Sequence, residues 1–298
     1  MSATTGNVRA RGNRLSILEA LRRILLEPVD PEDPASLDRA LVELVVGPVA
    51  RLGRLYFRAE VGGLERVPDG PALIVGNHNA GITFLEPFMM GAAYYQARGY
   101  DDPLFFLAHD AMVDLPVLRG MLCRFGAVRA SHQSADRVFA HGGKLVVYPG
   151  GNREAFRRFT DRHRIDLAGR TGFLKLALRS GVPLLPVVQI GGHETFLVLH
   201  PGEGLARRLK LNTLMRSDTC AVFLGLPWGL FVGPMFHLPL PSKSVIRFGE
   251  PIDPQTLGYG PEDAGNPDAL RELYERVSGQ MQGLMDALAG ERRYPILG

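Results

Sequence analysis

The stretch Ala72-Leu73-Ile74-Val75-Gly76-Asn77-His78 sets four apolar residues, with no polar break, ahead of a glycine, an amide and a histidine. A short continuous apolar run ended by a turn residue predicts a buried strand. Outward from it the pattern repeats. Leu104 to Ala108, Lys144 to Tyr148, Leu184 to Ile190 and Ser244 to Gly249 read as further strands, and Pro87 to Arg98 and Phe173 to Ser180 as helices between them. Pro267 to Leu288 reads as a last helix, with Leu270, Leu273, Val277, Met281 and Leu284 at near-heptad spacing. Such alternation predicts an α/β fold, a central mixed sheet flanked by helices.

The first sixty residues have a different texture. Arg14 to Glu27 places Ile17, Leu18, Leu21, Ile24 and Leu25 at helical spacing with Arg22 and Arg23 on another face, which suits either packing on a domain or a membrane surface. Leu37 to Phe57 is a second long helical candidate, with a kink or break expected at Gly47-Pro48, because proline removes a donor and crowds the preceding turn. Residues 1–60 therefore form an N-terminal helical lead-in, membrane-associating in expectation, and residues 61–298 the α/β domain.

A chain of 298 residues with 46% hydrophobic content can build a sizeable core, and a formal charge of +3 permits an anionic partner without requiring one. The two cysteines, Cys123 and Cys220, form neither a disulfide framework nor a metal-type spacing with histidine, so a reducing compartment and no metal are expected. The N-terminus has no hydrophobic run with a cleavage site, and so no secretory signal is read. Thr219 to Ser242 lacks Asp, Glu, Lys and Arg, yet Pro227, Gly229, Gly233, Pro234, Pro239 and Pro241 would interrupt a lipid-exposed helix. It reads as a hydrophobic loop or pair of loops, packed in the core or dipped into a membrane interface, where Trp228 would suit the boundary.

His78 falls just past the first strand, where side chains leave a sheet and face the usual ligand site. A histidine there can serve as a general base near neutral pH if a partner fixes its tautomer and stabilises the imidazolium. Glu86 is the nearest carboxylate downstream. It precedes Pro87 and so sits at a helix start, where capping explains it as well as a dyad does. Further on, the strand ending in Tyr148-Pro149 is followed by Gly150 and Gly151, which let backbone N–H groups approach an anion or developing oxyanion. Arg153, Arg157 and Arg158 follow, suited to phosphate or to a solvated basic helix.

In order, these blocks resemble the glycerolipid and lysophospholipid acyltransferase family. Asn77-His78 matches its first block, Phe125-Gly126-Ala127-Val128-Arg129-Ala130-Ser131 is similar to its second, and Tyr148-Pro149-Gly150-Gly151-Asn152-Arg153-Glu154 to its third. Val182-Pro183-Leu184-Leu185-Pro186-Val187 resembles the fourth, and Arg247-Phe248-Gly249-Glu250-Pro251-Ile252 the closing strand. The likeness covers Leu64 to Pro254. It departs at two places: Thr83 stands where the family has the acid of its dyad, and Gly150 where the third block has a glutamate. The Pro-Gly-Gly-x-Arg-Glu form is closer to the branch with neutral acceptors such as diacylglycerol.

The resemblance implies transfer of an acyl group from acyl-CoA or acyl carrier protein to a lipid hydroxyl, with no permanently bound cofactor. His78 would be the base and Glu86 its partner. Gly150 and Gly151 would meet the oxyanion, Arg153 and Arg129 the acceptor, and Arg157 and Arg158 the donor's phosphates. Both substrates are amphiphiles, so peripheral association with the cytoplasmic face of a membrane is expected. A thioester or lipid-ester hydrolase and a non-catalytic lipid-binding protein are the alternatives. Nucleic acid is not an expected partner, since the arginines are interleaved with Asp161 and Asp166.

Overall fold

The computed structural model of the protein describes residues 15–79, 81, 83, 85–214, 217–233, 235–292 and 294. Arg14, where the first helical reading begins, lies outside them. The chain opens with α1 (Ile17–Leu26) and α2 (Arg39–Tyr56), followed by β1 (Glu60–Gly62), β2 (Ala72–Gly76), α3 (Leu85–Arg98) and β3 (Leu104–Ala108). Next come α4 (Asp110–Val113), α5 (Pro116–Arg124), β4 (Ala127–Arg129), α6 (His132–Ala140), β5 (Lys144–Val147) and α7 (Gly151–Ala155). After α8 (Gly172–Ser180) and β6 (Leu184–Ile190) the chain leaves the main sheet through β7 (Leu197–His200), α9 (Glu203–Arg208), α10 (Leu211–Leu214), β8 (Val222–Gly225) and β9 (Gly229–Val232). It returns through β10 (Val245–Phe248) and ends with α11 (Pro267–Glu291).

The main sheet has strand order β1-β10-β6-β2-β5-β3-β4 and is mixed, because β10 runs antiparallel to β6 while every other pair is parallel. β2 sits in its middle. Ile74 pairs with Val146 on one side and Leu185 on the other, so the opening stretch is buried on both faces, as its lack of alternation requires. The strand period of two splits the core cleanly. Leu73, Val75, Leu145, Leu184 and Val188 pack on α6, α8 and α11, whereas Ile74, Val146, Leu185 and Val187 pack on α2 and α3.

That second layer draws on residues from both sides of the boundary expected at residue 60. Val42, Val46 and Phe57 belong to the same cluster as Ile74 and Phe248, so α2 is part of the domain core. Nor does Pro48 break α2, which runs on through it. Gly47 and Pro48 face solvent, so the carbonyl that loses its partner at Pro48 is reached by water, and buried neighbours on the opposite face hold the helix together. α1 crosses α5 at Gly120, where a Cβ would fall 2.1 Å from the Ile24 carbonyl oxygen, and Arg124 donates to the carbonyls of Arg23 and Glu27. This contact is made with Ala20 and Ile24, and it leaves Ile17, Leu18, Leu21, Leu25 and Leu26 in solvent.

The uncharged stretch expected to form loops contains a hairpin instead. β8 and β9 pair antiparallel, and β8 also pairs with β7, giving a second sheet of three strands. Its inner face, Val198, Phe223 and Phe231, packs on Phe156 and Phe196. Its outer face carries Leu224, Leu230 and Val232, with Leu226 and Trp228 in the connection, all exposed. No helix among the described residues is long and apolar enough to cross a membrane.

Candidate active site

The site is built where β2 and β5 end side by side. Past Gly76, Asn77 turns its amide across to β6: its Nδ2 donates to the Gln189 carbonyl at 2.9 Å and its Oδ1 accepts the Gln189 N–H at 2.7 Å. The chain end is thereby fixed one residue before His78. The His78 ring then stacks on Tyr148 from the end of β5, with centroids 5.2 Å apart. Gly76 is required beneath them, since a Cβ there would come within 2.7 Å of the Tyr148 ring.

The loop after His78 turns back sharply at Gly81, which has φ +58° and lies against Phe196. That turn delivers Glu86, in the first turn of α3, to the histidine. Glu86 Oε1 lies 2.7 Å from His78 Nδ1 and also accepts the Asn79 backbone N–H at 2.6 Å. The carboxylate is buried, while a fifth of the His78 side chain (21%) remains exposed. With Nδ1–H donated to the carboxylate, Nε2 is the nitrogen left to accept a proton from a ligand.

Burial disfavours the His78 imidazolium, but the charge and hydrogen bond of Glu86 outweigh it and raise the pKa above 6.5. For Glu86, burial pushes upward, and the His78 charge, its hydrogen bond and the Asn79 N–H together pull the pKa below 4.5. Each partner stabilises the other's charged form, the arrangement a histidine needs if it is to hold a proton briefly.

A second carboxylate lies beneath the dyad. Glu154 is wholly buried and accepts the His78 backbone N–H at 2.8 Å and the Asp166 N–H at 3.2 Å. Arg157 lies 3.4 Å from it and donates through Nε to His193 Nε2 at 2.9 Å. Burial raises the Glu154 pKa against the pull of Arg157, and burial followed by the Arg157 charge holds His193 well below the usual histidine value. His193 is accordingly a neutral acceptor. The double glycine is explained by this packing. A Cβ on Gly150 would meet Glu154 Oε2 at 2.4 Å, and one on Gly151, at φ +54°, would meet Arg170 Nη1 at 2.6 Å. Gly150 leaves room for the Glu154 carboxylate to fold under the loop.

His78 opens on an apolar cavity of about 700 Å³. Its walls are α2 (Val42, Val45, Val46, Val49), α3 (Phe88, Gly91, Ala92, Tyr95) and the end of β3, and its lining reaches Gly151, Asn152 and the segment Ser217 to Thr219. Of the sequence-predicted residues, the structure brings together His78, Glu86 and Gly151. The Gly151 N–H is engaged by the Tyr148 carbonyl at 3.2 Å, and Gly150 is outside the lining. None of the four candidate arginines lines the cavity. Arg129 is paired with Asp110, Asp114 and Glu32, Arg153 with Asp166 at 2.9 Å, Arg157 is buried against Glu154, and Arg158 is on the surface. Sequence reading missed Tyr148, Glu154, His193 and Asn152 as site residues. Glu154 had a signal, being the first acid after a double glycine, whereas His193 had none, lying over a hundred residues from His78. No cluster of metal-ligating side chains occurs among the described residues.

Fold and site together define an α/β enzyme with a carboxylate-held histidine at the strand ends, opening on an apolar cavity. The sequence matches the acyltransferase family over residues 58–190. It is 32% identical to an uncharacterised protein of Mycobacterium tuberculosis over 302 residues, 99% of this chain and 81% of that one. It is also similar to human 2-acylglycerol O-acyltransferase 3, at 30% identity over 52% of this chain and 47% of that one. Diacylglycerol O-acyltransferase 2 of Dictyostelium discoideum matches at 32% over 47% of this chain and 43% of that one. The chain belongs to the acyltransferase family and is an O-acyltransferase.

Proposed function

We propose that the protein transfers a fatty acyl group from acyl-CoA or acyl carrier protein to the hydroxyl of a neutral glycerolipid at a membrane surface. One observation carries this reading: the His78 and Glu86 pair, joined at 2.7 Å, opens on an apolar cavity of a size that suits an acyl chain. His78 Nε2 takes the proton of the acceptor hydroxyl as its oxygen attacks the thioester carbonyl. The tetrahedral oxyanion collapses, the C–S bond breaks, and the departing thiolate takes the proton back from the imidazolium. Ester and free thiol leave, with no acyl-enzyme between. Glu86 holds the ring and stabilises its charge, and the side-chain amide of Asn152, in the cavity lining, donates to the oxyanion.

A neutral acceptor is supported by the Pro149-Gly150-Gly151 form, by the names of the human and Dictyostelium relatives, and by Arg153, which is paired outside the cavity. Membrane contact is supported by two apolar surfaces exposed among the described residues, the outer stripe of α1 and the outer face of the small sheet. The segment Ser217 to Thr219 leads from the cavity lining into that sheet, so lipid would enter beside it. Association is peripheral and on the cytoplasmic face, in keeping with two buried, free cysteines.

The test is purified protein with labelled acyl-CoA and a panel of monoacylglycerol, diacylglycerol and lysophosphatidic acid, with product lipids separated. A new neutral ester that disappears with His78→Ala is the expected result. Free fatty acid as the sole product, or equal yield from the variant, overturns the reading.

A further inference from the structure

Arg170 is the only arginine or lysine in the lining of the cavity among the described residues, and no sequence motif pointed to it. Its Nη1 donates to the Pro149 carbonyl at 2.7 Å, which fixes the guanidinium plane against the α-carbon of Gly151. A side chain at Gly151, already strained at φ +54°, would also displace the fork. Arg153, Arg157 and Arg129 each spend their charge on a carboxylate, but Arg170 forms no ion pair among the described residues and is exposed. It also stands two residues ahead of α8, whose cap residue Thr171 makes no side-chain capping hydrogen bond, so the positive end of that nine-residue helix adds to the same field. Asp218 is the one carboxylate in the described lining, and it too is exposed.

We infer that Arg170 binds a phosphate ester of a substrate at the mouth of the cavity. A guanidinium anchored through one nitrogen presents its remaining N–H groups as a preset fork, the geometry that suits phosphate oxygens. The phosphate belongs either to the phosphopantetheine arm of the thioester donor or to a lipid acceptor, and both would place it beside a cavity that takes the apolar chain. The inference rests on the acyl-transfer reading above for the identity of the ligand, and on the cavity geometry for the residue.

The experiment compares wild type with Arg170→Gln, which removes the charge and keeps a polar amide, and with Arg170→Lys. Kinetics are measured with acyl-CoA and with the phosphate-free acyl-N-acetylcysteamine thioester, each against diacylglycerol and against lysophosphatidic acid. If the phosphate is the donor's, Arg170→Gln raises KM for acyl-CoA about ten- to hundredfold, the size of hydrogen bonds to a charged group, and leaves the truncated thioester unchanged. If it is the acceptor's, the same rise appears only with lysophosphatidic acid. Arg170→Lys recovers part of the loss in either case. Calorimetric binding of 4′-phosphopantetheine against pantetheine, and of lysophosphatidic acid against monoacylglycerol, reads the same preference without turnover. It therefore separates failure of this assignment from failure of the acyl-transfer reading. Equal effects on phosphorylated and phosphate-free substrates, or none on either, overturn it.

Discussion

At the residue scale the proposed chemistry turns on one hydrogen bond, from His78 Nδ1 to Glu86 Oε1 at 2.7 Å. His78→Ala is expected to lower kcat about 10²- to 10⁴-fold, the usual contribution of a positioned base. Glu86→Gln keeps the shape but not the charge, and its signature is a pH profile. In the wild type the base form is lost as pH falls through a pKa held above 6.5, so the acid limb lies above that value. Without the carboxylate, burial is left as the largest influence on His78, offset only by Glu154 against Arg157, and it favours the neutral ring. The limb should then move to lower pH while the maximal rate drops. An unmoved limb in kcat/KM would remove Glu86 from the dyad. Asn152→Ala should cost about 10²- to 10³-fold in kcat if its amide meets the oxyanion. The position of His78 past the end of β2 was legible in the sequence because a strand end is a local feature. Glu86 was half-legible, because a helix cap and a dyad partner look alike until the turn at Gly81 is known. The partners of the arginines were not legible, because a motif shows where a cation is and not which carboxylate already holds it.

At the scale of elements, a strand of an antiparallel sheet normally keeps one polar face. The hairpin β8–β9 does not: Phe223 and Phe231 point inward, Leu224 and Leu230 outward, and the Trp228 side chain is 59% exposed at the connection. From the sequence this run of apolar residues was indistinguishable from loops, since glycines and prolines break it and no alternation of polarity marks its two faces. Burying a leucine or tryptophan side chain in an apolar phase is worth about 1.5–3 kcal/mol. Leu230→Asp, at an exposed position, should therefore lower flotation with liposomes about tenfold with little change in melting temperature. Equal flotation would confine membrane contact to α1. The same scale governs substrate length. Val45 on α2 lines the cavity without being fully buried, so Val45→Trp fills apolar volume with little repacking. The expected outcome is a shift of acyl preference to shorter chains, read from the products of a mixed acyl-CoA pool.

At the scale of the whole molecule, the site is tied to the far end of the chain. His193, which accepts from Arg157 behind the dyad, is followed by Glu194, buried and paired with Arg292 at 3.0 Å, Arg162 at 3.4 Å and His163 at 3.9 Å. The sequence showed the last helix by its repeat, and Leu273, Val277 and Met281 do pack on the main sheet, but nothing in a repeat foretells that Arg292 closes over a buried acid. Burial would raise the Glu194 pKa, yet the neighbouring His163 and the Arg292 charge bring it below 4.5. A carboxylate with a depressed folded-state pKa contributes stability above its unfolded value and loses it as pH falls through the folded one. Glu194→Gln leaves buried cations without their partner and should cost about 3–5 kcal/mol in urea unfolding at neutral pH. The gap to wild type should begin to close as the pH drops below 4.5, where the wild-type carboxylate starts to take up its own proton. A gap that stayed constant with pH would mean that Glu194 acts through its shape and packing, and that the C-terminal helix is held by its apolar face alone.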